Sequence, residues 1–327
     1  MPKSSTGIAT SAERPASRGT PAAPAAGGYR GRFAPSPTGP LHFGSLLAAA
    51  GSWLDARAAG GRWLLRIEDI DPPREPPGAI DAILRALEAC GLYWDEAVLY
   101  QSGRTDAFDS ALRALVDASW AYACNCSRKD ITNANAALGR PESRIYPGTC
   151  RDGTRSARRS RVLRVRTTAE PVGMRDRLQG LFQQRLEDDV GDFIVRRREG
   201  YLAYQLAVVV DDAAQGITHV TRGIDLLDST PRQIWLQHLL GLPTPAYMHL
   251  PVIAAPDGQK LSKQTGAEAL DLRHTGTLAW RVLQCLKQAP PVALKGASAE
   301  ELWAWGAANW QPQQLAGIRS IPVPQRL

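Results

Sequence analysis

The stretch Arg32-Phe-Ala-Pro-Ser-Pro-Thr-Gly-Pro-Leu-His-Phe-Gly-Ser45 sets the reading of the fold. Two prolines around Ser36 impose an extended loop. His42-Phe-Gly-Ser45 then stands where that loop turns into a helix. The start of a helix presents unpaired N–H groups and the positive end of its dipole, and both suit phosphate. Gly44 lets the backbone approach such a group closely, and His42 can donate to a phosphate oxygen as charge develops there. Alone, the tetrapeptide is a weak signal, because Ser45 can simply cap a helix. The Pro-rich approach makes it far more specific.

Working outward, the pattern is α/β. Residues 29–35 read as a strand, Leu46 to Ala59 as a helix stopped by Gly60-Gly61, and Trp63-Leu-Leu-Arg-Ile67 as a buried strand. Asp69 to Pro77 is a polar, Pro-containing loop. Ile80, Ile83, Leu84 and Leu87 have helical spacing over Ala79 to Cys90, with Gly91 at the C-terminal end. This alternation predicts a βαβ unit and a parallel sheet. Phe108 to Trp120 is a further helix. Residues 121–160, with clustered cysteines and Arg155, Arg158, Arg159 and Arg161, look like an insertion rather than a sheet element. Beyond it, Phe193 to Val195, His219 to Arg222 and His249 to Ala254 read as strands, Pro231 to Leu240 as a helix, and 276–327 as mostly helical.

The 327 residues are 44% hydrophobic, enough for a large core, and no apolar run is long enough to span a bilayer. Residues 1–28 are rich in Ala, Pro, Ser and Gly with Glu13 as the single acid, which predicts a disordered tail. Their prolines count against the amphipathic helix of a transit peptide. No apolar signal core follows the first charges, so a cytoplasmic protein is expected. The formal charge is +7, and lysine supplies 6 of the 39 basic residues. Arginine suits bidentate phosphate contacts, so a nucleic-acid partner and a merely solvated basic surface stand about even. The five cysteines are odd in number, which argues against a disulfide framework.

Lys260-Leu-Ser-Lys-Gln264 lies far downstream of His42. Its lysines can neutralise a triphosphate as pyrophosphate leaves. With this second motif the chain resembles the class I aminoacyl-tRNA synthetases of the glutamyl type. Their HIGH signature takes the F-A-P-S-P-T-G-x-L-H form, and their KMSKS loop matches Lys260 to Gln264. Arg66-Ile-Glu-Asp-Ile-Asp71 resembles the family's R-x-E-D-T-D run, with Ile70 in place of Thr. Carboxylates at the end of a strand in an open sheet face the ligand crevice, so Glu68 can hold an amino acid's ammonium. Tyr204-Gln-Leu-Ala-Val-Val-Val-Asp-Asp212 and Thr221-Arg-Gly-Ile-Asp225 extend the likeness. The resemblance implies a glutamate site of Arg32, Phe33, Ala34, Pro35, Ser36, Glu68, Tyr204 and Arg222. It implies ATP contacts from His42, Gly44, Ser45 and Lys263, with Mg²⁺ on the triphosphate, and catalytic roles for His42, Lys260 and Lys263. Which arginine takes which carboxylate stays open.

Cys124-Asn-Cys126 and Cys150 offer soft ligands suited to one structural Zn²⁺, a moderate signal by spacing alone. No histidine lies in 120–160. A short glutamyl-synthetase-like family carries C-x-C…Y-x-x-x-C, so the resemblance makes Tyr146 the candidate fourth ligand, with water or a packing role as alternatives. Cys90 and Cys285 read as core residues.

After Gln264 the sequence lacks the large anticodon-reading region of full glutamyl enzymes. With Val208 where those enzymes carry Asn, and with Gln264 closing the loop motif, the likeness narrows to glutamyl-Q tRNA(Asp) synthetases, truncated paralogues of the catalytic part. One departure is Ala213, where related chains often have His. The implied fold is a class I Rossmann-like parallel sheet with a zinc-bearing insertion and a helical C-terminal portion. The expected divisions are a tail over 1–28, the first catalytic half over 29–110 and an acceptor-type insertion over 111–190. The second half follows over 191–255, then the loop and helical subdomain over 256–327. The implied activity is tRNA-independent formation of glutamyl-adenylate from L-glutamate and ATP. Glutamate then passes to queuosine in the anticodon loop of tRNA(Asp). A monomer is expected, without membrane association. The alternatives are a truncated enzyme charging a tRNA 3′ end and a non-catalytic RNA-binding paralogue.

Overall fold

The computed structural model describes residues 28–153, 161–254 and 268–322. The Lys260 to Gln264 motif, all of the predicted tail except Gly28, and Arg155, Arg158 and Arg159 lie outside them. In chain order the first half comprises β1 (Arg30–Phe33), α1 (Phe43–Ala58), β2 (Arg62–Ile67), α2 (Ala79–Ala89), β3 (Leu99–Tyr100) and α3 (Thr105–Asp117). Next come β4 (Ala121–Cys124), α4 (Arg128–Ala137), β5 (Val162–Val165), β6 (Pro171–Asp176), β7 (Gly180–Arg185), α5 (Leu186–Asp189) and β8 (Phe193–Arg196). The remainder is α6 (Tyr204–Ala214), β9 (His219–Gly223), α7 (Thr230–Leu240), β10 (Ala246–Leu250), β11 (Val252–Ala254), α8 (Thr275–Cys285), α9 (Ala299–Ala308) and β12 (Ser320–Pro322).

The parallel sheet arises from the apolar runs. In β2, Trp63 through Ile67 are all buried, as a strand covered on both faces requires. It pairs in parallel with β1 on one side and β3 on the other. β9 and β10 form a second parallel pair. It joins the first at Thr218, whose N–H donates to the Arg30 carbonyl at 3.0 Å. The chain thus leaves β1 outward through β2 and β3, while β9 and β10 lie on β1's other flank. The change of direction opens a crevice at the carboxyl ends of β1 and β9, where open α/β sheets bind ligands.

Helix α1 runs beneath that crevice. Ala49, Ala50 and Gly51 are buried and bring it close to the sheet; a Cβ on Gly51 would stand 2.4 Å from Leu250 Cδ1. Leu46, Leu54, Trp63, Leu87, Leu283, Leu302 and Trp303 belong to the main core, so α8 and α9 pack on the first catalytic elements. A second core joins Leu112 and Leu115 of α3, Leu206 and Val209 of α6, and Trp235 and Leu236 of α7. Cys90 and Cys285 are buried, and burial pushes both thiols up to about 11.

Three differences from the sequence reading have physical causes. The segment read as an insertion without a sheet element starts with β4, which forms an antiparallel sheet in the order β4-β5-β8. The strand expected over His249 to Ala254 is broken at Pro251, which has no N–H to donate. The antiparallel hairpin β6–β7 was not expected; all of its strand residues except Asp176 are partly or fully exposed, so no apolar run marks it. Its tip folds back on β10, with the Arg177 N–H donating to the Tyr247 carbonyl at 3.0 Å. No described helix is long and apolar enough to cross a membrane.

Candidate active site

A pocket of about 380 Å³ occupies the crevice. Arg32 to Ser36 line it from the end of β1, His42, Gly44 and Ser45 from the start of α1, Tyr204 from α6 and Arg222 from β9. The Pro-rich loop is held against the sheet by the Glu68 N–H, which donates to the Pro35 carbonyl at 3.0 Å. Gly39 has φ +135°, a conformation that L side chains rarely adopt, and so lets the loop turn into α1.

His42 caps α1. Its Nδ1 accepts from the Ser45 N–H at 3.3 Å, so in the neutral ring Nε2 carries the proton and is a donor. The first turn of α1 contains no acid, which leaves its dipole uncompensated from within. Behind His42, residues 41–42 meet the chain beyond the signature loop: His42 bridges to Ala269, and the Leu270 N–H donates to the Leu41 carbonyl at 3.2 Å. Ile253, on the other side of that loop, lines the pocket. Lys260 and Lys263 themselves lie outside the described residues.

Behind Arg32 lies a buried ionic cluster. Arg32 Nε contacts Asp212 Oδ1 at 3.0 Å, and Arg66 Nη2 contacts the same oxygen at 2.8 Å. Burial pushes Asp212 up, but the two arginines outweigh it and hold the carboxyl below its usual range. Glu68 is placed differently. Its contact to Arg66 is 3.6 Å, and its Oε1 has no hydrogen-bond partner among the described residues. Burial, only partly offset by Arg66 and Arg32, pushes Glu68 up to about 7. Glu68 does not itself line the pocket; it sits behind the loop, in the field of Arg32 and Arg222. Burial and then Glu68 raise the Tyr204 phenol.

Arg222 is 5% exposed and makes no ion pair among the described residues. Its donors go to neutral acceptors: Nε to His249 Nε2 at 3.1 Å, and Nη2 to Thr230 Oγ1 at 2.8 Å and the Leu226 carbonyl at 3.4 Å. Its Nη1 is buried with no hydrogen-bond partner among the described residues. A buried guanidinium without a counter-charge is costly, and an anion in the pocket relieves that cost.

Several contributors were not named as site residues from sequence, although Arg66, Asp211 and Asp212 lie in quoted motifs: these three in the ionic cluster behind Arg32, and His249 and Asp176 behind Arg222. Asp211 accepts from Gln101 Nε2 and Arg104 Nε, each at 3.0 Å. The available signal was the pair of acids inside the apolar run of α6, since buried acids are rare unless partnered.

In the insertion the Sγ atoms of Cys124, Cys126 and Cys150 lie within 4.8 Å of one another. Cys126 and Cys150 are 3.5 Å apart. The Tyr146 hydroxyl is 3.4 Å from Cys124 Sγ and accepts the Cys150 N–H at 2.7 Å. Three soft donors at this spacing fit a tetrahedral Zn²⁺, with Tyr146 beside the fourth position. The Arg164 guanidinium stacks on the Tyr146 ring, 4.0 Å from its centroid.

Residues 29–285 match the family model described as tRNA synthetases class I (E and Q), catalytic domain. The chain is 55% identical over 282 residues to the glutamyl-Q tRNA(Asp) synthetase of Dechloromonas aromatica, covering 86% of this chain and 94% of that protein. Its identity to the protein of that name from Ectopseudomonas mendocina is 50% over 297 residues, 91% of this chain and 98% of the relative. In structure it superposes with a TM-score of 0.74 on a glutamate tRNA ligase from Elizabethkingia meningosepticum crystallised with its amino acid. That match covers 90% of this chain and 66% of the other, and at 24% identity the likeness is one of fold. The chain, a ligase of the aminoacyl-tRNA synthetase type, therefore belongs to the class I tRNA synthetases of the E and Q group, alongside the relatives named glutamyl-Q tRNA(Asp) synthetase.

Proposed function

We propose that the pocket binds L-glutamate and ATP, forms glutamyl-adenylate without tRNA, and passes glutamate to queuosine in the anticodon loop of tRNA(Asp). The observation that carries this reading is a buried arginine in the pocket wall, Arg222, that makes no ion pair among the described residues. Among the described residues Arg222 Nη1 lacks an acceptor, and Glu68 Oε1 behind the loop lacks a donor. An amino acid brings a carboxylate for Arg222, and its ammonium suits the negative field of Glu68 behind the pocket wall. A second carboxylate suits the remaining positive field of Arg32, although Asp212 already neutralises part of it.

In the first step a glutamate carboxylate oxygen attacks the α-phosphorus of ATP and pyrophosphate leaves. His42 Nε2 and the N–H groups at the start of α1 stabilise the developing charge, with Lys260, Lys263 and an ATP-bound Mg²⁺ as further cations. In the second step a hydroxyl of the queuosine cyclopentenediol attacks the acyl carbon and AMP leaves. The chain's contribution is positioning and charge stabilisation rather than covalent catalysis. Cys124, Cys126, Tyr146 and Cys150 would hold one Zn²⁺, which supplies cross-linking of the insertion and takes no part in either step.

The names of the relatives support the tRNA(Asp) assignment. The test is transfer of labelled glutamate to three RNAs: queuosine-containing tRNA(Asp), the unmodified transcript of the same tRNA, and tRNA(Glu). Label on the first alone is expected. Stable label on tRNA(Glu) would overturn the reading.

A further inference from the structure

Asp176, His249 and Arg222 form a buried chain from the hairpin β6–β7, through β10, to the pocket wall. We propose that Asp176 and His249 are positioning residues for the carboxylate-binding arginine: Asp176 fixes His249 as the Nδ1–H tautomer, and the bare Nε2 orients Arg222. This rests on the reading of Arg222 as a substrate anchor.

The hydrogen bonds dictate the tautomer from both ends. Asp176 Oδ2 lies 2.6 Å from His249 Nδ1. A carboxylate only accepts, so Nδ1 must carry the proton. Arg222 Nε lies 3.1 Å from His249 Nε2, and a guanidinium only donates, so Nε2 must be bare. A doubly protonated ring would set its Nε2–H against the Arg222 Nε–H. Both His249 and Asp176 are fully buried at their side chains, and burial lowers the His249 pKa, which keeps the ring neutral. The Tyr247 ring lies nearly parallel to the His249 ring, with centroids 6.1 Å apart and 10° between planes.

Asp176 is itself held in one orientation. Its Oδ1 accepts the N–H groups of Leu178 and Gln179 at 2.9 Å each, and that of His249 at 3.3 Å. An asparagine here must place its carbonyl oxygen on those three donors. Its NH₂ then faces His249 Nδ1, which has to accept, and the ring proton moves to Nε2, against Arg222 Nε–H. A near-isosteric substitution on a different element, in the hairpin, thus disturbs the substrate arginine through a tautomer. A hydrogen bond to a charged group, once misdirected, changes an equilibrium about 10- to 100-fold.

The test uses the full chain in glutamate-dependent ATP–pyrophosphate exchange. Asp176→Asn is expected to raise KM for glutamate about 10- to 100-fold, with kcat and KM for ATP within about threefold of wild type. His249→Phe should do the same, and the double variant should be no worse than His249→Phe alone. An unchanged glutamate KM in folded Asp176→Asn, or additive effects in the double variant, would overturn the proposal. Independently of any variant, ¹⁵N NMR of histidine-labelled wild-type protein should show His249 as the Nδ1–H tautomer; Nε2–H or an imidazolium would overturn it. Loss of exchange in the wild type would instead sink the reading of the pocket, leaving the NMR result to decide the tautomer.

Discussion

Arg222 in the pocket and Arg151 in the insertion are both arginines engaged with a buried partner, yet their surroundings are opposite. Arg151 is closed off by carboxylates: Nε and Nη2 each contact Asp192 at 2.7 Å, and Nη1 contacts Glu187 at 3.0 Å. Asp192 also accepts from the Thr167 N–H at 2.8 Å, its hydroxyl at 2.9 Å and the Tyr122 hydroxyl. Arg222 has neutral partners, and its Nη1 has none among the described residues. A satisfied cluster next to Cys150 fixes the insertion in place. An unsatisfied one beside a pocket is stability forgone until a ligand arrives. The difference lies in charge: Arg151 is paired with two carboxylates, and Arg222 meets neutral acceptors in the wall of the pocket.

The comparison breaks most sharply through substitutions. Arg222→Leu should lower kcat/KM for glutamate in pyrophosphate exchange by about 100- to 1,000-fold, while the melting temperature stays level or rises. Lys263→Ala should cut adenylate formation to a similar degree with the fold intact, as circular dichroism and exchange kinetics would show. Asp192→Ala should do the reverse, costing about 3–5 kcal/mol in denaturant unfolding with the glutamate KM unchanged. Purified protein should contain one zinc per chain, lost in Cys150→Ser; chelation should lower the stability of the insertion, and metal analysis without zinc would remove that claim.

The smallest effect sharpens the comparison through pH. Glu68 titrates near 7 in the unliganded chain, above its unfolded value of 4.5. The folded state therefore holds a proton that the unfolded state has released, and this contribution to stability is lost as pH rises from about 4.5 through about 7. On the proposed reading glutamate binding runs the other way, because its ammonium is favoured by an ionised Glu68. Apparent affinity should fall towards about tenfold per pH unit below 7. Glu68→Gln should flatten both profiles, measured by thermal melts and by KM across pH 5.5 to 8.

How much of this was legible in the sequence follows from where the information sits. The buried strand at Trp63 to Ile67 and the helix after His42 are local, written in apolar runs, a Pro-rich loop and Gly60. His42, Tyr204 and Arg222 come together because each stands at a helix start or in a strand facing the crevice. The buried ionic cluster was not legible: Asp212 meets Arg32 and Arg66 only once α6 packs against the sheet, and no spacing encodes that contact. His249 stands inside an apolar strand, where sequence suggests only a core residue. Its partner Asp176 lies in a hairpin with no strong apolar pattern. The lysine motif, plain in sequence, lies outside the described residues.

The most direct measurement is ATP–pyrophosphate exchange driven by glutamate in the absence of tRNA, run on wild type and Arg222→Leu side by side. Exchange in the wild type, and its loss in a variant that melts no lower, is the expected result. No tRNA-free exchange in the wild type, or undiminished exchange in the variant, would contradict it.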